Sequence, residues 1–156
     1  MSDRPTNEEI VRDYARASAE FDLATLERLR HPEWSVMWPQ SGEMVKGSAS
    51  FAEIVRRYPG GKPSTKVARV IGSEDRWVVT PGNSVLRVAG TGDAWWGEWV
   101  MTYPDGQVYN CVDLIELREG LVYRETAYWA PPVRRPGLAP AVRREGRPRG
   151  MTGPRA

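Results

Sequence analysis

Asp113 lies between Val112 and Leu114 in a tryptophan-rich run from Ala94 to Trp129, and it is the residue in this chain whose setting most suggests chemistry. A carboxyl group buried in such a run must be protonated, hydrogen-bonded or ion-paired. It is therefore either an acid or base facing a pocket, or a structural aspartate paired with an interior arginine or tyrosine. Tyr14 sits at a core position of a helical pattern, where its hydroxyl is either satisfied internally or offered as an electrophilic hydrogen-bond donor. His31, the single histidine, precedes Pro32; it reads as a helix C-terminal cap or as a proton carrier, with Glu33 and Glu43 nearby as further carriers. Trp38, Trp95, Trp99, Tyr109 and Tyr128 could line a pocket for a flat apolar ligand, or simply fill a core. Cys111 reads as a small buried apolar residue. One cysteine and one histidine cannot build an intramolecular disulfide, a cysteine-only metal site or a histidine-rich one, so no metal or other cofactor is expected.

Three helical patterns and a series of strands must position these groups. Asn7 to Ala19 carries apolar residues at helical spacing, with Thr6 as N-cap and Glu8 and Glu9 in the first turn. Asp22 can cap a second helix through Leu23, Leu26 and Leu29, closed at His31-Pro32. Trp34 to Trp38 alternates as a strand and returns through Pro39-Gly42 to a short strand at Met44-Val45. Ser48 or Ser50 caps a third helix that stops at Pro59-Gly61. Strands follow at Thr65–Ile71, Arg76–Thr80 and Ser84–Ala89, then a three-stranded antiparallel meander turns at Pro104-Gly106 and at Glu119-Gly120, the latter with type I′ chemistry. Pairing across the first turn sets Met101 opposite Tyr109, Trp99 opposite Cys111 and Gly97 opposite Asp113. One face then carries Trp95, Trp99, Asp113 and Ile115, with open space beside Asp113 at Gly97. The other carries Trp96, Val100, Val112 and Leu114.

At 156 residues the chain is sized for one domain with its own core, and 27% charged residues is ordinary for a globular protein. The net charge of +2 averages unlike regions, because residues 130–156 carry seven arginines and one acid while residues 1–129 carry −4. We therefore expect a domain over residues 1–130 and a flexible Pro/Arg-rich tail over 131–156. The tail lacks the interleaved aromatic residues of a single-strand binder, so it reads as solvated or partner-covering rather than as a nucleic-acid arm. No run approaches the roughly 20 apolar residues of a membrane span, and the polar N-terminus has no signal-peptide core, so a cytoplasmic protein is expected.

The helix-one segment VRDYARASAEFDLATLERL, the hairpin WPQSGEMVKG leading into a third helix, and the closing VDLIELREGLVYRETAYW occur in an order that resembles the nuclear transport factor 2-like superfamily, in its SnoaL-like branch with ketosteroid isomerases and polyketide cyclases. The resemblance covers about Glu8 to Trp129. It implies an α+β fold in which a cone-shaped, curved antiparallel sheet wraps around the N-terminal helices and an internal pocket. Tyr14 and Asp113 match the isomerases' oxyanion-hole tyrosine and protonated aspartate, of which ketosteroid isomerase is the standing example. Where the isomerases carry their general base, before the hairpin proline, this chain has Trp38, and an indole cannot relay a proton. The expected function is cofactor-free acid/base chemistry, such as isomerisation, cyclisation, dehydration or hydrolysis, on a hydrophobic ring-containing molecule. Asp113 would be acid or base, Tyr14 a donor and His31 a second proton carrier. The alternative is a binding or dimerising scaffold of the same fold, and a second titratable group beside Asp113 would separate the two. A homodimer through the outer sheet face is expected as well.

Overall fold

The computed structural model describes residues 4–72, 76–79, 85–88 and 92–132. The chain begins with α1 (Asn7–Glu20), α2 (Leu23–Leu29), β1 (Arg30–Trp38), β2 (Glu43–Lys46) and α3 (Ser48–Arg56). Six strands follow: β3 (Ser64–Gly72), β4 (Arg76–Val79), β5 (Val85–Val88), β6 (Ala94–Thr102), β7 (Val108–Arg118) and β8 (Leu121–Ala130). The Ser73-Asp75 turn and residues 133–156 of the Pro/Arg-rich tail lie outside the described residues. Among the described residues no helix is long and apolar enough to cross a membrane.

The helix ends follow the capping chemistry of the sequence, with one exception. Thr6 and Glu9 form a reciprocal capping box at α1, and Phe21 closes that helix in the left-handed conformation at φ 54°. Asp22 caps α2 by accepting from the Thr25 N–H at 3.1 Å. The exception is α3, whose N-cap is Gly47 with no side-chain cap, so neither Ser48 nor Ser50 plays the expected part.

The main sheet runs in the order β2-β1-β8-β7-β6-β3, while β4 and β5 form a separate hairpin. It is curved, unclosed and mixed rather than all antiparallel, because β1 lies parallel to β8. This pairing follows from where β1 begins. The strand starts at Arg30, directly at the end of α2, and not at Trp34; Pro32, which has no N–H to give, falls in the irregular stretch between the Arg30 and Ser35 pairings. The meander register is the one the sequence implies, with Gly97 opposite Asp113 and Trp99 opposite Cys111. Glu119 at φ 57° and Gly120 at φ 75° give the second turn its type I′ form.

Irregularities bend the sheet at three places: Val67/Arg69 in β3, the start of β1, and the β7–β8 pair. The last matters most for the site. Glu116 pairs with Arg124 and Leu117 with Val122, so Tyr123 is an extra residue with no partner. Val122 and Glu125 can then both face the interior although they are three residues apart. The core behind this face joins Ile10, Val11 and Tyr14 of α1 and Leu26 and Leu29 of α2 to Trp34, Trp95, Ile115 and Val122 of the sheet.

The space over Gly97 is filled. A Cβ built there would lie 3.1 Å from Cζ3 and 3.2 Å from Cη2 of Trp99, whose indole folds back over the glycine. Gly97→Val should therefore push Trp99 aside and cost about 1–3 kcal/mol, as overpacking does. Urea unfolding checks this, and wild-type stability in the variant would show that the indole has room to move.

Candidate functional site

Four elements deliver one buried polar cluster. From α1, Tyr14 donates its hydroxyl proton to Oε1 of Glu125 on β8. From β1, Arg30 donates through Nε to the Tyr14 hydroxyl at 2.8 Å, and Trp34 donates through Nε1 to the same Glu125 oxygen at 2.6 Å. From β7, Asp113 faces the group between Gly97 and Ala127, its cross-strand neighbours, neither of which has a side chain that can hydrogen-bond. Arg30, Asp113 and Glu125 are the buried charged residues of the described chain, at 6%, 3% and 5% exposure.

The guanidinium of Arg30 is held by aromatic faces. Its Cζ lies 3.5 Å from the Trp34 ring centroid, 4.4 Å from that of Phe51 and 5.6 Å from that of Tyr14. Cation–π attraction and planar stacking suit arginine in this place far better than lysine.

Two carboxyl groups against one cation leave a surplus negative charge in a medium that tolerates none. The hydrogen bonds decide which acid is neutral. Glu125 accepts two, from Tyr14 and Trp34, as an ionised carboxylate does. Asp113 Oδ1 is buried with no hydrogen-bond partner. Burial first, and the neighbouring Glu125 charge second, push the Asp113 carboxyl well above the usual carboxylate range, with Arg30 opposing them. The cluster is thus Arg30 cation, Glu125 anion and neutral Asp113. Burial, with Glu125 next, likewise raises the Tyr14 phenol, which stays protonated.

This cluster forms the floor of a cavity of about 370 Å³. Phe51, Ile54 and Val55 of α3 line one side and Trp38, Trp99 and Trp129 the other, with Tyr58 and Tyr103 joined by a 2.8 Å hydroxyl contact. Cys111 also faces the cavity, and burial followed by the nearby Asp113 pushes its thiol up to about 11, away from thiolate reactivity. At the mouth, Trp38 meets Trp129 edge to face at 5.9 Å. The Gln40 amide pairs there with the backbone of Trp129, accepting from its N–H at 3.0 Å and donating to its carbonyl.

The structure brings together some of the residues singled out from the sequence and separates others. Asp113, Trp38 and Trp99 line the cavity, and so does Glu43. Tyr14 lies beneath the floor with its proton committed to Glu125, so it positions Arg30 and Glu125 rather than donating to a ligand. His31 is outside the cavity. It packs edge-on against Tyr123 at 5.3 Å and accepts the Glu33 N–H at Nδ1, and Glu33 pairs with Arg118 at 2.9 Å. Trp95 is core, donating to the Gly92 carbonyl at 2.8 Å. Tyr109 stands behind Tyr103 and donates to Gln107 at 3.0 Å. Tyr128 points away, on the outer face opposite Val112, with 45% of its surface exposed.

Arg30 and Glu125 were not singled out in the sequence. The signal for Arg30 was its place at the helix-to-strand joint. Glu125 faces inward only because of the extra residue at Tyr123, which strict alternation from Val122 does not reveal.

The neutral Asp113 fixes the sign of a pH effect. Between the ordinary carboxylate value of 3.8 and its raised folded value, the folded chain keeps a proton that the unfolded chain has released. Stability therefore falls as pH rises through that window. Asp113→Asn should remove this slope and be the more stable form at neutral pH. Denaturant titrations at acid and neutral pH check it; an equal slope in both proteins would contradict a neutral Asp113.

Residues 11–125 match the SnoaL-like domain family. No curated protein matches the chain in sequence. Among solved structures, an NTF-2 like protein of unknown function from Burkholderia xenovorans LB400 is 26% identical, with 84% of this chain and 88% of that one covered at a TM-score of 0.64. A candidate ketosteroid isomerase from Kribbella flavida DSM 17836 is 20% identical, with 89% and 91% covered at a TM-score of 0.65. The family match spans most of the chain and the fold agrees with it: this protein belongs to the SnoaL-like domain family, within the NTF2-like superfamily.

Proposed function

We propose that this protein is an acid/base catalyst that moves a proton on a hydrophobic, ring-containing carbonyl compound, in a reaction of the isomerisation or cyclisation type. The observation that carries this is the pairing of neutral Asp113 with Glu125 on the floor of an aromatic cavity. A pure binding pocket has no need of two buried carboxyl groups side by side, whereas proton transfer needs one group that gives and one that takes. By the resemblance Trp38 stands where the isomerases carry their base, and in this reading Glu125 of β8, which lines the same cavity, is the proton acceptor that Trp38 cannot be.

In this reading Glu125 removes the proton from the carbon beside the carbonyl. Asp113, already protonated, hydrogen-bonds to the substrate or returns a proton to it. Tyr14 and Trp34 hold Glu125 in place through Oε1. The tryptophan and α3 walls take the ring and keep water away, which strengthens every charge interaction on the floor.

Deuterium uptake from heavy water into β-tetralone, followed by NMR, tests the reading. The wild type should accelerate exchange over buffer, and Glu125→Gln or Asp113→Asn should each lower the rate by about 10²–10⁴-fold. No acceleration by the wild type, or unchanged rates in both variants, removes the proposal.

We also propose that two copies associate through the outer sheet face. Val112, Leu114 and Tyr128 are exposed there at 39%, 45% and 45%, and the register sets Val112 beside Tyr128 and Leu114 beside Trp96. Sedimentation should show a dimer at micromolar concentration and a monomer for Leu114→Arg. A monomeric wild type would end this proposal.

A further inference from the structure

Arg30 is the one cation lining the cavity among the described residues. Its Nε is committed to Tyr14, but its terminal nitrogens make no hydrogen bond to any described residue. They are not sealed in protein either, since the buried polar side-chain atoms without a partner are Thr65 Oγ1 and Asp113 Oδ1. The terminal nitrogens therefore open on the cavity. The guanidinium carbon packs 3.5 Å from the Trp34 ring centroid and 4.4 Å from that of Phe51, which restrains these donors. A restrained, nine-tenths buried guanidinium with unspent donors on a cavity is preorganised for negative charge on a bound molecule.

The neighbours decide when that charge is present. Tyr14 from α1, Glu43 from β2, Cys111 and Asp113 from β7, Glu125 from β8, and Tyr58 and Tyr103 are the titratable groups lining or beneath this cavity besides Arg30. Tyr14, Cys111 and Asp113 are held in their neutral forms, and Glu125 balances Arg30 through the Tyr14 bridge. A ligand arriving as an anion would place a second negative charge beside Glu125. A neutral ligand that gives its proton to Glu125 leaves the site's total charge unchanged.

We propose that Arg30 binds the reacting oxygen of a neutral substrate and holds the negative charge that forms on it when Glu125 takes the proton. This rests on the acid/base reading above and names the substrate class: ring compounds with a ketone beside an acidic C–H, or a ring hydroxyl, and not the matching carboxylates. The C–H or O–H bond breaks and its electron pair stays on the substrate, ending on oxygen beside Arg30. The proton forms a new O–H bond on the Glu125 carboxylate, which Tyr14 and Trp34 hold through Oε1. Nothing is oxidised or reduced. Arg30 thus takes the task that the resemblance assigned to Tyr14.

The test is β-naphthol bound to the full chain at neutral pH, with its ionisation read by absorbance and emission. The wild type should bind it saturably as naphtholate. Glu125→Gln, which carries the neutral form of that side chain, should also bind it as naphtholate with the proton released to water, and Arg30→Gln should lower the ionised fraction about a hundredfold, the scale of one lost oxyanion donor. Arg30→Lys keeps the charge but not the fork, and should fall between. β-Naphthoate should bind at least about tenfold more weakly than β-naphthol, about 1.4 kcal/mol. Circular dichroism identifies folded variants; if Arg30→Gln does not fold, the wild-type spectrum and Arg30→Lys decide.

Un-ionised β-naphthol in the wild type, no saturable binding, full ionisation by folded Arg30→Gln, or tighter binding of β-naphthoate would each overturn the proposal. The two proposals fail separately. β-Tetralone exchange with un-ionised β-naphthol leaves the catalyst reading and removes Arg30; bound naphtholate without exchange does the reverse.

Discussion

One buried cation shared between two carboxyl groups is the constraint around which this molecule is arranged. Water would dissolve the conflict; the interior cannot, so the protein resolves it by neutralising Asp113 and hydrogen-bonding Glu125. Each helix contributes to that settlement. α1 supplies the Tyr14 bridge, the end of α2 launches β1 at Arg30, and α3 lays Phe51 over the guanidinium. The polar cluster thereby fixes the relation of helices to sheet as firmly as the apolar core behind it does.

The apolar interior owes its shape to aromatic rings that are themselves positioned by small residues. Trp99 leans over Gly97, and Trp95 lies so close to Gly72 that a Cβ there would be 2.7 Å from its ring. Asp113 is left between Gly97 and Ala127 with its Oδ1 buried and without a partner, and a side-chain hydrogen bond joins it to Glu125. Gln40 ties the hairpin turn to the end of β8 with a side-chain amide in the role of a strand residue. The mouth is thus bordered by tryptophans held at both ends.

Much of the fold was legible from residue pattern. Thr6 with Glu9, Asp22, the Glu119-Gly120 turn and the alternation of β6 and β7 each act over a few residues, so local sequence specifies them. The site was legible only as far as Asp113 and two of its tryptophans. Arg30 looked like the tail of a helix because the His31-Pro32 pair reads as a stop, and its interior place depends on β1 pairing parallel with β8, nearly a hundred residues away. Tyr128 and Tyr109 looked like pocket residues because aromatic character says nothing about which side of a sheet a residue takes. His31 has the right chemistry for a proton carrier, yet its partner is Tyr123 on the sheet's far end.

The extra residue at Tyr123 acts as a parity switch for everything downstream in β8. Ahead of it, alternation is counted from Val122; beyond it, the count restarts on the opposite phase, and Glu125, Ala127 and Trp129 turn inward together. The acidity of this interior is therefore encoded by the bulge as much as by residue identity. A relative with the same letters but no bulge, pairing Tyr123 with Glu116, would present Arg124 and Thr126 to the cavity and turn its glutamate out to solvent. Homologues in this family are thus comparable at this site only after the bulge has been aligned, because a residue-by-residue match across it joins opposite faces of the sheet.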